Sequence, residues 1–349
     1  MPTQVEDLPF EIWLIVFQYL EARDIIGAFR NLNSHFDQIL NSNQLSLYVR
    51  LKEIDNDPYW SDSLLNCITS LQTVIPSRST YFQQFLGSHS DKLIRLQNLW
   101  IKTPEYGISS IPHICHCLKE LNHLECLSLT CRPYKVIFDT ILALPTLRIC
   151  QLILEESPLS LDHLDLVHVN SSIKQLYFVF LDRIDCSLVT LLLRCTPELE
   201  RLEISDRSTD HITTPLFNET LFILPKLRVL KLNLEGAHFT FDSLQSLHII
   251  FPSLKYFYFH YTKHMLPGIF IDRFITHWWS IIEPIQRLNI HIKGHIRLDF
   301  TFHVLQTHFQ KNRQILSEKI KQSNENTRFE WNEQDFNQLK LIEIIIVKN

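Results

Sequence analysis

The chain has 349 residues, a net charge of −5, a pI of about 6.4 and 45% hydrophobic residues. Its length favours about two domains, and its basic residues are neither in excess nor clustered, so the charge gives no indication of nucleic-acid binding. Only 6 glycines are present, too few to favour glycine-rich phosphate loops or glycine-turned β-barrels.

The N-terminal segment, residues 5–40, predicts three short helices, the first of which is apolar on all sides. Between Pro9 and Leu20 only Glu11 and Gln18 are clearly polar. A helix that is apolar all round must be covered on every side, and a bundle of about forty residues is too small to cover it alone. We therefore expect part of this helix to bind a second protein.

Short polar residues mark where these helices are expected to begin. Asp7 is a candidate cap for the first helix, with Pro9 in its first turn. Asp24 is expected to cap the second helix, and Ser34 with Asp37 resembles a capping box for the third.

Neither a secretory signal nor a membrane span fits this segment. Glu6 and Asp7 precede the apolar run, where a secretory signal has basic residues. The run ends after about twelve residues, whereas a membrane span needs about twenty, and no later stretch reaches that length. With 8 cysteines and no secretory signal, we expect reduced thiols in a soluble protein of the cytoplasm and/or the nucleus.

The same segment resembles a known family, the F-box. The family pattern has Leu-Pro with Glu two residues after the proline, a hydrophobic helix ending in Phe-x-x-Leu, an acidic-aliphatic turn, and then Val-Cys-Lys-x-Trp. The chain departs from it at residues 32–36, where Phe36 replaces the tryptophan. It matches the pattern at Leu8, Pro9, Glu11, Ile12, Phe17, Leu20, Asp24 and Ile25.

The resemblance implies that this segment binds a Skp-family adaptor and, through it, a cullin. The alternative is that the helices only cap a larger domain. The residues that the resemblance assigns to the adaptor surface and to the packing beneath it are Leu8, Pro9, Ile12, Val16, Phe17, Leu20, Ile25 and Ile26.

From residue 96 to the end of the chain, a spaced aliphatic triplet recurs. Its pattern is aliphatic-x-x-aliphatic-x-aliphatic, as in Leu124/Leu127/Leu129 and Leu199/Leu202/Ile204. Successive copies begin 23 to 31 residues apart, and a last copy, Leu339/Ile342/Ile344, follows after a longer interval. Pro145, Pro197, Pro225 and Pro252 each stand two residues before a copy, where a proline stops a helix before a strand begins.

Stretches with helical spacing lie between the triplets, at Tyr134–Leu144, Ser187–Arg194, Phe241–Ile250 and Ile269–Ile282. A strand and a helix in each interval resemble a leucine-rich-repeat solenoid, in which repeats stack and a parallel sheet lines the inner face. The alternative is an ordinary α/β domain with parallel strands.

The predicted fold is therefore α/β, with an N-terminal three-helix F-box followed by a leucine-rich-repeat solenoid that has a curved parallel sheet and outer helices. We expect the F-box at residues 1–45, a helical and strand linker with the N-terminal cap at 46–95, and the solenoid with its C-terminal cap at 96–349. Residues 45–49 alternate and predict a strand. Leu305–Gln322 predicts a helix, and residues 342–347 predict the last strand.

One cluster contains metal-ligating residue types, but its spacing does not favour a metal site. No Cys-x-x-Cys pair is present, and Cys115 and Cys117, two apart on a helix, are expected to point to different sides. The chain has no nucleophile elbow, P-loop, H-E-x-x-H or dinucleotide motif. We expect no metal, no cofactor and no enzymatic activity, with a cysteine–histidine hydrolase as a distant alternative. The cluster is His113, Cys115, His116, Cys117, His123, Cys126 and Cys131.

Residues between the aliphatics of each strand are expected to face outward. They mix aromatic, amide and charged side chains, which is typical of a protein-binding surface rather than a small-molecule pocket. The predicted substrate-binding residues are Trp100, Gln151, Tyr177, Glu203, Lys231, Tyr258 and Asn289.

Together with the F-box resemblance, this face predicts the substrate-recognition subunit of a cullin–RING ubiquitin ligase. Such a subunit holds a protein substrate, unknown here, while other subunits transfer ubiquitin, and it has no nucleic-acid or membrane partner. The alternative is a free-standing binding or inhibitory scaffold without a ligase role.

Overall fold

The computed structural model describes residues 8–42, 44–51, 60–74, 81–102, 111–155, 169–181, 186–206, 223–235, 247–265, 285, 287–297, 311, 313–318, 320, 327–336 and 339–348. The chain divides into two compact units, Met1–Leu152 and Ile153–Asn349. Both units alternate strands with helices, and in both most strands are parallel.

The first unit begins with the three predicted helices, α1 (Phe10–Phe17), α2 (Ala22–Phe29) and α3 (Ser34–Leu40). The predicted caps of α2 and α3 are wrong. Asp24 lies in the first turn of α2, after the N-cap Glu21. Ser34 is the first helical residue of α3, because Asn33 adopts an extended backbone from which its side chain accepts a hydrogen bond from Phe36 N at 3.1 Å. The proposed cap Asp7 lies outside the described residues.

Strands and helices then alternate through the rest of the first unit. The strands β1 to β4 pair in parallel, each with its neighbour in the chain. Val49, Leu71, Leu99 and Leu127 lie side by side across them, and each is at most 3% exposed. The elements are β1 (Leu47–Leu51), α4 (Asp62–Leu65), β2 (Ile68–Val74), α5 (Tyr81–His89), β3 (Asn98–Lys102), α6 (Ile111–Glu120), β4 (Cys126–Cys131), α7 (Lys135–Ala143) and β5 (Ile149–Leu154), which crosses the boundary between the units.

The parallel sheet therefore begins two strands before the first triplet found in the sequence. Strand β2 carries the same spacing in Ile68, Leu71 and Thr73, all of which are at most 2% exposed. The copy is not evident in the sequence because a threonine occupies the third aliphatic position. Its methyl group packs in the core much as a valine methyl would.

The second unit continues the pattern with strands β6 to β10, which pair in parallel in chain order. Phe178, Ile204, Leu232, Phe259 and Ile290 form one row across them and are at most 1% exposed. The elements of this unit are β6 (Gln175–Phe180), α8 (Cys186–Arg194), β7 (Arg201–Asp206), β8 (Val229–Glu235), α9 (Leu247–Ile250), β9 (Tyr256–Met265), β10 (Arg287–Arg297), β11 (Thr327–Phe336) and β12 (Leu339–Lys348).

The last triplet is not another parallel copy, and this prediction is wrong. Strand β12 runs antiparallel both to β10 and to β11. Only residues 337–338 separate β11 from β12, and a connection this short joins antiparallel strands, since a parallel pair needs a crossover of about a dozen residues or more. Pairing on both edges covers the apolar C-terminal segment, in which Ile344 and Ile346 are 0% exposed.

The predicted helices agree with the structure where the structure describes them. Helix α7 coincides with the predicted Tyr134–Leu144, and α8 extends the predicted Ser187–Arg194 by one residue. Of Phe241–Ile250 only α9 is described, and Ile269–Ile282 lies outside the described residues. Residues 313–318 are helical within the predicted Leu305–Gln322. The prediction of an α/β fold with parallel strands in chain order is confirmed.

Candidate functional site

An apolar surface lies on one side of α1. The surface consists of Ile12, Ile15 and Val16 of α1 with Leu8 just before the helix and Tyr19 just after it. The intervals of four, three and four residues from Leu8 through Ile12 and Ile15 to Tyr19 are those of one side of a helix. In chain order, the exposed fractions of the five residues are 40%, 41%, 51%, 37% and 85%. Single exposed apolar side chains are ordinary, whereas a contiguous group of them marks an interaction site. These five residues are named the N-terminal apolar face.

The opposite side of α1 is held by a cluster of four aromatic rings. Trp13 and Phe17 are 6% and 0% exposed, and they pack against Phe29 of α2 and Phe36 of α3. The ring centroids of Trp13 and Phe36 are 4.8 Å apart, and those of Phe17 and Phe29 are 5.0 Å apart. Such pairs contribute about 0.5–1.5 kcal/mol beyond the area they bury. The cluster therefore fixes the rotation of α1 and keeps the apolar face outside.

Helix α2 connects this three-helix group to the first strand. Glu21 and Tyr48 form a parallel backbone bridge, and the guanidinium of Arg50 lies 3.4 Å from the Glu21 carboxylate. Ala22 and Ile25 are both 0% exposed. A partly exposed ion pair contributes at most about 1 kcal/mol, so buried apolar contacts provide most of the attachment.

The structure divides the predicted adaptor residues into two groups. Leu8, Pro9, Ile12 and Val16 are exposed, and Leu20 and Ile26 are partly exposed. Phe17 and Ile25 are fully buried, where they support the others.

The sequence prediction omitted three exposed apolar side chains of the same region. Ile15, Tyr19 and Leu32 are 51%, 85% and 58% exposed. The spacing from Ile12 to Ile15 and Tyr19, three and then four residues, is the helical signal that could have identified the first two. Leu32 lies between α2 and α3, where helical spacing gives no guidance.

Outward-facing side chains of the first unit form a polar row across its strands. Arg50, Gln72, Trp100 and Ser128 are neighbours in the strand register. The hydroxyl of Ser128 donates a hydrogen bond to Gln151 Oε1 at 3.1 Å, and Trp100 is half-buried between its neighbours. The row presents one large aromatic side chain among amide and hydroxyl groups.

The second unit carries a more connected row. Tyr177, Glu203, Lys231 and Tyr258 are direct neighbours on β6, β7, β8 and β9. Arg201, also on β7, lies with its guanidinium 5.6 Å from the centre of the Tyr177 ring. These five residues are named the polar–aromatic array.

Ion pairs and cation–π contacts join all members of the array. Arg201 Nη2 and Lys231 Nζ lie 3.4 Å and 3.5 Å from the same oxygen, Glu203 Oε2. Lys231 Nζ also lies 5.4 Å from the centre of the Tyr258 ring. The charged side chains are only 30–34% exposed, so they are held in place while their polar groups still reach solvent.

The structure gives the remaining predicted substrate residue only by its backbone. Asn289 on β10 is in register with Tyr258, and its side chain lies outside the description. Along β6 and β7, residues between the buried aliphatics are half-buried, which is the alternation expected from the triplet. The role of these residues in binding a substrate stays a prediction.

The cysteine and histidine cluster is dispersed in the fold. Cys115 and Cys117, two residues apart on α6, are both buried. Cys117 Sγ lies 3.8 Å from His113 Nε2, but burial raises the pKa of the Cys115 and Cys117 thiols. A thiol with a raised pKa is protonated at neutral pH and is a poor nucleophile.

Within the described residues, no group of three or more His, Cys, Asp or Glu side chains is arranged to hold a metal ion. Every helix that the structure describes is too short or too polar to cross a lipid bilayer. No protein-family model matches the sequence, and a search of curated proteins finds no significant match.

Proposed function

We propose that this chain is the substrate-recognition subunit of a cullin–RING ubiquitin ligase. In this proposal the N-terminal helices act as an F-box that binds a Skp-family adaptor and, through it, a cullin. The observation that carries the proposal is the N-terminal apolar face, which lies on the helix where the F-box resemblance is found. An exposed apolar face above a closed aromatic core gives the helix a structural reason to bind a protein.

The remainder of the chain acts as a leucine-rich-repeat solenoid that presents its strand face to a protein substrate. The support is the near-constant interval of the triplets together with the parallel pairing of β1–β4 and of β6–β10. Each repeat buries its apolar side against its neighbours, so the opposite side of each strand is left for recognition.

The protein itself carries out no chemical step in this proposal and needs no cofactor. It positions the substrate, while other subunits of the complex transfer ubiquitin in the cytoplasm and/or the nucleus. Tyrosine and arginine dominate binding energy at protein interfaces, and both are present in the polar–aromatic array.

A pull-down with a purified Skp adaptor tests the adaptor half of the proposal. The wild-type chain should bind the adaptor at micromolar concentration. If it does not, while the purified protein is folded by circular dichroism, the ligase role is refuted and the free-standing binding scaffold becomes the better interpretation.

The substrate half needs a separate test. The double variant Tyr177→Ala with Tyr258→Ala should stay folded and bind the adaptor, yet lose the substrates that proximity labelling identifies with the wild type. A double variant that keeps every substrate would place recognition elsewhere on the chain.

A further inference from the structure

Among the side chains that the structure describes on β6–β9 of the second unit and on the turns before these strands, basic groups outnumber acidic ones, although the net charge of the chain is −5. The relevant side chains are those that reach solvent on β6–β9 and on the turns before these strands. Three of those described are acidic, Glu198, Glu200 and Glu203, while Asp206 is buried in the core. Six are basic: Lys174, Arg201, Lys226, Arg228, Lys231 and Lys255.

The acidic side chains do not cancel this excess, because two of them are each shared by two cations. Glu203 Oε2 contacts both Arg201 and Lys231 in the polar–aromatic array. In the turns, Glu198 Oε2 lies 3.4 Å from Lys174 Nζ and also accepts a hydrogen bond from Lys226 Nζ. Each of these two groups, with one carboxylate and two cations, therefore has a net charge of +1.

The cations of the array keep hydrogen-bonding capacity for a ligand. The two Glu203 contacts, at 3.4 Å and 3.5 Å, are longer than the 2.7–2.9 Å or so of strong charge-assisted hydrogen bonds. An ammonium has three N–H donors and a guanidinium has five. An incoming carboxylate can therefore bind Arg201 or Lys231 without displacing Glu203.

The aromatic ends of the array match an extended chain segment in size. Tyr177 and Tyr258 are three strand spacings apart, a span of about 14 Å, which an extended peptide covers in about four residues. Because the cations already lie against the two rings, little side-chain conformational freedom is lost on binding. Coverage by a partner also strengthens cation–π contacts by removing water from them.

We infer that the polar–aromatic array and the basic turns before its strands bind an extended acidic segment of a partner protein. This inference rests on the proposed role of the strand face in substrate recognition and names the chemistry of that substrate. Single-stranded nucleic acid is also anionic and stacks on tyrosine. Arg201 and Lys231 already lie over the rings of Tyr177 and Tyr258, which leaves less ring surface for bases to stack on, so the acidic protein segment fits better.

The test uses the full chain and a short fluorescein-labelled peptide of alternating Glu and Ser, followed by fluorescence anisotropy. The peptide should bind, and binding should weaken with added salt, because salt screens partly exposed charges. The double variant Arg201→Gln with Lys231→Gln should bind it about tenfold more weakly, which corresponds to about 1.4 kcal/mol.

A single substitution in the array tests the sign of the charge effect. Glu203→Gln removes the shared carboxylate and should tighten acidic peptide binding. If Glu203 instead serves to bind a basic group of the partner, the same variant should lose affinity for a matched peptide of alternating Lys and Ser. The control Lys311→Gln with Arg313→Gln removes the same charge from exposed positions of the same unit and should change nothing.

Several results would overturn the inference. The first is that the acidic peptide does not bind at micromolar concentration, and the second is that the double variant and its control bind it equally well. The others are that the chain prefers the basic peptide, or that a single-stranded oligonucleotide binds more tightly and displaces the acidic peptide. Circular dichroism melting verifies that each variant is folded, and Lys231→Gln alone replaces the double variant if that one unfolds.

An adaptor pull-down in parallel separates this inference from the proposed function. Adaptor binding without peptide binding refutes only the acidic substrate. Peptide binding without adaptor binding leaves an acidic-segment scaffold and refutes the ligase role.

Discussion

The N-terminal apolar face allows a quantitative prediction for adaptor binding. Ile12 and Ile15 are 41% and 51% exposed, and full burial of an isoleucine side chain contributes about 1.5–3 kcal/mol. Covering the exposed half of each is therefore worth about 0.7–1.5 kcal/mol per residue by the same measure. The double variant Ile12→Ser with Ile15→Ser should weaken adaptor binding by about 1.4–3 kcal/mol, or about tenfold to 150-fold.

Isothermal titration calorimetry with a purified Skp adaptor measures this change directly. Val136 on α7 provides a matched control, because it is an exposed apolar helix residue of the same unit at 41% exposure. Val136→Ser should leave adaptor affinity unchanged. The buried halves of Ile12 and Ile15 also stabilise the fold, so circular dichroism melting must show that the double variant is folded at the temperature of the titration.

Two results would refute the reasoning. If the Ile12 and Ile15 variant binds the adaptor as tightly as the wild type, the apolar face is not the adaptor surface. If Val136→Ser causes an equal loss of adaptor affinity, the loss depends on exposed apolar area in general and gives no evidence for a specific adaptor site on α1.

Three further predictions concern stability and ionisation. Trp13→Ala should lower the free energy of unfolding of the first unit by about 3–5 kcal/mol in a denaturant titration, because it opens a cavity in the aromatic cluster. The control Tyr19→Ala, at an 85% exposed position, should change the same free energy by less than about 0.5 kcal/mol. Gly27→Ala should stabilise the first unit by up to about 1 kcal/mol, since α2 gains helix propensity and the new methyl group meets no atom within 4 Å; a lower melting temperature would contradict this. The hydrogen bond from Lys226 lowers the pKa of Glu198. The pair therefore stabilises the fold at pH values above the pKa that Glu198 has in the unfolded chain, and this stabilisation is lost as the pH falls through the pKa of Glu198 in the folded protein. Lys226→Met should raise the Glu198 pKa in a carboxyl NMR titration, and an unchanged pKa would exclude the contact.

Much of the chain follows from patterns that are local in the sequence. Three short helices, the buried triplet aliphatics and the outward-facing residues between them all depend on periods of 3.6 and 2 residues. Prolines such as Pro145 and Pro197 mark where strands follow helices. These features are set by neighbours within a few residues, so one sequence is enough to predict them. The same periodicity predicts that Tyr177, Glu203, Lys231 and Tyr258 lie in one row.

Other features were decided only by tertiary structure. The sheet begins at β1, and the copy of the triplet on β2 is not evident in the sequence because Thr73 takes the place of an aliphatic residue in a buried row. Strand β12 is antiparallel because the link to β11 is too short for a crossover.

The contacts of the candidate sites also depend on tertiary structure. Trp13 faces inward and Ile15 faces outward because α2 and α3 cover only one side of a helix that is apolar all round. Arg201 and Lys231 share one oxygen of Glu203 because strands of different repeats lie side by side. Residues about thirty positions apart meet across a strand spacing of about 4.8 Å, and no local pattern in the sequence encodes which of their side chains make contact.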